Sequence, residues 1–168
     1  MAAAVAEDLA GHAIAALYTS PLQRCRETAA ALGRGRDLTP IVERALIEVD
    51  YGAWSGRRLR RLAELKAWRT LIDTPSRFVF PGGSESFLQA QQRVVAAVER
   101  MASRHRSETV AAVTHNDVIR LAVAHYLGMP LDLFHRLHIG PASVTVVDLE
   151  PGRPPRVPVV NHGPLAAT

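Results

Sequence analysis

The stretch TVAAVTHNDVIR, residues 109–120, decides the fold. Its opening run, Val110-Ala111-Ala112-Val113, suits a strand buried on both faces. Val118, Ile119, Leu121 and Ala122 follow at helical spacing. The polar tetrad Thr114-His115-Asn116-Asp117 stands at the join. Open α/β sheets place ligand chemistry at the carboxyl ends of their strands, beside helix N-termini. The first helical N–H groups have no intrahelical partner and favour an anion. His115 is therefore placed to meet a phosphate or carboxylate. A histidine buried only to satisfy backbone groups is an equal alternative on this stretch alone.

Working outward, AIAALY (residues 13–18) is a second short buried strand, and SPLQRCRET (20–28) starts a helix. Ser20 is its expected N-cap, Pro21 its first residue and Gln23 the capping-box partner, with Gly33 at the end. Arg24 and Arg26 lie in the first turns, the wrong end for a cation in dipole terms. Either an anion sits in front of them or an acid such as Glu27 pairs with them. Residues 38–42 form a strand that Pro40 confines to an edge or a strand start. LIEVDYGAWSG (46–56) has loop composition, and loops on α/β scaffolds carry function. Glu48 and Asp50 share a face in an extended chain, and either serves as an acid or base, or as a partner for the arginines that follow.

Leu59, Leu62, Leu65 and Trp68 give residues 57–68 the stripe of an amphipathic helix. Ser84 or Ser86 caps a long helix to about residue 103, with Phe87, Leu88, Val94, Val95, Val98 and Met101 facing inward. Residues 142–149 alternate as a strand, and 157–160 add an edge strand broken by Pro158. Residues 1–11 read as a helix without a capping residue, as if from the middle of a longer element.

A chain of 168 residues, 48% hydrophobic, supports one compact α/β domain. No run approaches the length of a membrane span, and the first residues lack the basic start of a secretory signal. Cys25 is the only cysteine, so no intrachain disulfide forms and a reducing, cytoplasmic setting fits. The net charge of +4 is almost all arginine, concentrated at Arg57, Arg58, Arg60 and Arg61. No aromatics interleave with them as a stacking platform requires, so a solvated helix face is favoured over nucleic-acid binding. His135 and His138 are three apart, but no set of further ligands at metal-site spacing accompanies them.

SPLQRCRET, IEVDYGAWSG (47–56), PGGSES (81–86) and THNDVIR (114–120) occur in one order. Together they resemble the histidine phosphatase superfamily, the phosphoglycerate mutase-like proteins, and within it the phosphomutase and phosphatase branch. The resemblance covers essentially the whole chain. It implies a three-layer α/β/α sandwich with a mostly parallel sheet, acting on a small phosphomonoester, a phosphorylated metabolite, through a phosphohistidine. It implies Arg24 as a phosphate clamp, Glu48 as general acid and base, Tyr51 near the substrate and His115 as the second histidine of the pocket. Asn116 stands where the family commonly has Gly, and Asn tolerates a left-handed backbone better than most residues. No cofactor or metal is expected, because Arg and His supply the positive charge.

The largest departure is that the chain contains no Arg-His-Gly, the motif that ends the family's first strand and supplies its nucleophile. By the family pattern, Met1 falls within the first helix. His12 precedes the second strand of the pattern, at the opposite end of the sheet from Arg24. The expectation is one N-terminally incomplete domain over residues 1–168 with little or no turnover. The alternative is a non-catalytic phosphate-ligand binder or interaction protein that keeps Arg24 and His115. An uncovered sheet edge favours a homo-oligomer.

Overall fold

The computed structural model describes residues 2–163. The chain forms α1 (Ala2–Asp8), β1 (Ala16–Thr19), α2 (Gln23–Arg34) and β2 (Ile41–Val42). Two short helices follow, α3 (Leu59–Leu62) and α4 (Lys66–Asp73). Then come α5 (Phe87–Arg104), β3 (Val110–Val113), α6 (Asn116–Tyr126), β4 (Val144–Asp148) and β5 (Arg156–His162). No described helix is long and apolar enough to cross a membrane.

The sheet is a parallel three-strand unit in the order β2-β1-β3. Strand alternation sorts the core into two layers around β1. Leu17 faces Ala29 and Leu32 of α2, with Val5 and Leu9 from the α1 end of the chain. Ala16 and Tyr18 face the larger cluster, where Val94, Val95, Val118 and Leu121 of α5 and α6 meet Phe87 and Phe134. Helices thus cover both faces of the sheet, the three layers of an α/β/α sandwich. An aromatic group extends the larger core: Trp54 packs on Phe78 and Phe80, and Phe87 on Phe134, with ring centroids 4.8–5.7 Å apart.

Four local expectations change. Strand β3 is only half-buried, with Ala112 exposed, because among the described strands it pairs with β1 on one side alone. Residues 142–149 and 157–160 do give strands, but β4 and β5 pair antiparallel with each other and pack on α6. The single helix expected over 57–68 is two, separated by an extended Leu65. Trp68 stacks on Trp54 and Leu62 is buried, while Leu59 is 70% exposed, so one continuous apolar stripe is not what packs. Likewise Leu88 is exposed, whereas Phe87, Val94, Val95 and Met101 are buried as expected. The start of α5 does follow its sequence: Ser86 accepts from Gln89 N–H while the Gln89 side chain accepts from Ser86 N–H.

Register explains the position of the site. Thr19 pairs with Val113, so β1 and β3 end level. Ser20 N–H donates to the Val113 carbonyl (2.9 Å), which brings the start of α2 beside the start of α6.

Candidate active site

His115 is the N-cap of α6 and is 5% exposed. It makes no side-chain cap bond, so the first N–H groups of the helix are left for another acceptor. Arg24, in the first turn of α2, reaches across: its Nη2 lies 2.7 Å from His115 Nδ1. The same end of α2 also has no side-chain cap. Ser20, the expected cap, is fully buried, and its Oγ sits 2.7 Å from His115 Nε2. Only a long bond from Leu22 N–H (3.3 Å) remains of its capping role, and Leu22 takes the N-cap position. Arg26 points elsewhere, into an open groove with Thr19, Gln23 and Pro40.

Glu48 joins this pair from the 46–56 loop. One carboxylate oxygen lies 3.7 Å from His115 Nδ1 and 3.8 Å from Arg24 Nη2. Three ties hold the loop. Thr114 Oγ1 donates to the Leu46 carbonyl (2.7 Å). Arg93 of α5 donates to the carbonyls of Ala45 and Ile47, and pairs through two nitrogens with Glu85. Asp50 accepts from Gly52 N–H and from both the N–H and the hydroxyl of Ser84. These bonds hold the Asp50 carboxyl below its ordinary range. Asp50 is thereby committed to joining two loops, and Glu48 is the acid that faces the histidine. The two loops meet closely at Gly52, whose φ is +51° and where a Cβ would stand 2.4 Å from Gly83 N.

The electrostatics of the pair are opposed. Burial pushes the Glu48 carboxyl up to about 7, with Asp117 adding to the rise. Arg24 pulls the other way but does not win, because its side chain is 62% exposed whereas that of Glu48 is 18% exposed. Burial, then the charges of Arg24 and Arg93, push His115 down to about 4. Near neutral pH the site therefore holds a neutral imidazole and a carboxyl that carries a proton part of the time.

Tyr51 is half-buried beside this group, its hydroxyl donating to Asp117 (2.9 Å), which in turn pairs with Arg120. Burial and the two nearby carboxylates raise the Tyr51 phenol, so it stays neutral. Asn116 has no positive φ, and its Nδ2 donates to the Ile139 carbonyl (2.6 Å), tying α6 to the segment before β4. Arg24, Glu48, Tyr51 and His115 thus converge, while the Asn116 side chain is engaged elsewhere. Ser20, Cys25, Arg93 and Glu85 complete the surroundings without having stood out in the sequence as site residues. The PGGSES stretch was the one available signal for Glu85.

The chain belongs to the histidine phosphatase superfamily (branch 1), whose family model matches residues 1–162. It is 30% identical over 151 residues to phosphoserine phosphatase 1 of Hydrogenobacter thermophilus, covering 89% of this chain and 71% of that protein. It is 32% identical over 152 residues to a bifunctional protein of Mycobacterium tuberculosis, of which it spans 41%. The solved structure of YhfR from Bacillus stearothermophilus superposes with a TM-score of 0.88 at 29% identity, covering 97% of this chain and 81% of that one.

Proposed function

We propose that this domain recognises a small phosphomonoester at the junction of α2, α6 and the 46–56 loop. The observation that carries this reading is the placing of Arg24 and Glu48 together on Nδ1 of a buried histidine at an uncapped helix N-terminus. Arg24 and the α6 N–H groups hold phosphoryl oxygens, since both are donors with positive character. Glu48, poised near neutrality, carries the proton that a leaving alcohol oxygen takes when its bond to phosphorus breaks. Tyr51 borders the pocket as a neutral hydroxyl. The phosphoserine phosphatase among the relatives favours a phosphorylated metabolite of that size.

In the phosphohistidine mechanism a histidine nitrogen attacks phosphorus, the ester oxygen leaves with a proton, and water then takes the phosphoryl group. The 168 residues contain no Arg-His-Gly to supply that nitrogen. Among the described residues, His115 is the histidine in contact with Arg24 and Glu48. The same observation favours a second reading, a ligand-binding protein that holds a phosphomonoester without cleaving it. The readings differ in what Glu48 does once a nucleophilic nitrogen is supplied; under either, these residues bind phosphate. The test is p-nitrophenyl phosphate hydrolysis by this chain, beside equilibrium binding of inorganic phosphate. Saturable binding with no hydrolysis is expected. Hydrolysis that disappears in Glu48→Ala would contradict the missing nucleophile, and absence of binding would remove the site.

A further inference from the structure

The two ring nitrogens of His115 have different neighbours, and the chemistry of those neighbours distinguishes them. Nδ1 faces Arg24 Nη2 at 2.7 Å. A guanidinium nitrogen only donates, so Nδ1 must accept. The neutral ring then carries its hydrogen on Nε2, and that nitrogen faces Ser20 Oγ at 2.7 Å. Ser20 Oγ accepts there, and its second lone pair takes the long bond from Leu22 N–H. The remaining neighbour is Cys25, whose Sγ lies 3.6–3.8 Å from the ring nitrogens and donates to the Thr114 carbonyl (3.6 Å). Ser20 Oγ, nearly 1 Å nearer to Nε2 and a stronger acceptor than a thiol sulfur, takes Nε2–H.

We propose that Ser20 is a positioning residue: its hydroxyl oxygen fixes Nε2–H of His115 inward, so that Nδ1 is the nitrogen presented to a phosphoryl oxygen. This rests on the phosphomonoester reading above. Ser20 is placed for the task by backbone alone. It is fully buried, and its own N–H is anchored to the last carbonyl of β3, two residues before His115. When an anion draws Arg24 onto itself, Nδ1 loses its donor and takes up a proton to donate in turn. Ser20 Oγ accepts from Nε2–H before and after that event, so the ring does not have to flip. Glu48, 3.7 Å from Nδ1, is the adjacent group able to pass that proton.

Two measurements test this. Long-range 1H–15N spectra of the wild-type ring should show a protonated Nε2 and a bare Nδ1 at neutral pH, and a protonated Nδ1 with bare Nε2 overturns the proposal. Sulfate, which does not titrate near neutrality, is the binding probe. The amide nitrogen of Asn overlays Nδ1 of His and that of Gln overlays Nε2, so His115→Asn should bind sulfate about tenfold more tightly than His115→Gln. Equal affinity or the reverse order overturns it. Ser20→Ala, with an unchanged fold by circular dichroism, should lose the Nε2 proton in its sulfate complex, where wild type holds a proton on both ring nitrogens, and should bind about five- to tenfold more weakly. Ser20→Thr, which keeps the hydroxyl, should restore both. A Ser20→Ala spectrum and affinity equal to wild type removes Ser20 from the role. If wild type binds no sulfate, the functional reading fails, while the ring spectra still decide the tautomer.

Discussion

Glu48 and His115 make opposite contributions to stability as pH changes, and Glu48→Gln separates them. In the unfolded chain Glu48 releases its proton near 4.5; in the folded chain it holds it up to about 7. Between those values the native state binds the extra proton, so this carboxyl favours folding below the window and the advantage is lost as pH rises through it. His115 behaves in the opposite sense. Unfolded, it is protonated up to 6.5, and folded, it gives up its proton near 4. The unfolded state binds more protons there, so stability rises with pH across that range. A difference of about 2.5 between folded and unfolded pKa corresponds to about 3 kcal/mol for each group. In wild type the two slopes oppose each other where the windows overlap. The Gln variant keeps the shape of the side chain but does not titrate. Urea unfolding of both proteins from about pH 4 to about pH 7 should show the variant gaining about 3 kcal/mol on wild type across the window. Parallel profiles would refute the argument, because they would mean that the Glu48 carboxyl ionises in the fold as it does in water.

Other perturbations follow from the same contacts. Arg24→Ala should weaken inorganic phosphate binding by about 10- to 100-fold, the range for losing a charge-assisted pair, as read by calorimetry. Phe87→Ala removes a ring that is 1% exposed and packed on Phe80 and Phe134, and should cost about 3–5 kcal/mol in urea unfolding. Gly52→Ala puts a Cβ against Gly83 at a positive φ, and should cost about 1–3 kcal/mol while loosening the Asp50–Ser84 tie, seen as faster amide exchange at Ser84.

The strand-to-helix corner at His115 was legible because a short apolar run, a polar tetrad and a helical period leave little choice of structure. The start of α5 was legible to within two residues, as Ser84 or Ser86, and the Ser86–Gln89 capping box in the structure selects the second. What was not legible depended on distant partners. Ser20 reads as an N-cap, but its hydroxyl is taken by a histidine 95 residues away. Glu48 and Asp50 are equivalent by spacing, and only the Ser84 backbone and hydroxyl, from another loop, commit Asp50 to structure. Leu65 is extended between α3 and α4, and just beyond it Trp68 stacks on Trp54, a contact no helical period encodes. Among the described residues β4 pairs with β5 alone, which reflects tertiary placement, since a strand's sequence does not name its neighbour.

The most direct test of the phosphoryl site is the position of a bound tetrahedral oxyanion. A crystal of this chain soaked with tungstate should show the metal-oxide density between Arg24 Nη2, His115 Nδ1 and the first N–H groups of α6, with Glu48 at its edge. Tungstate bound elsewhere at saturating concentration, with Arg24 still resting on His115, would contradict the account.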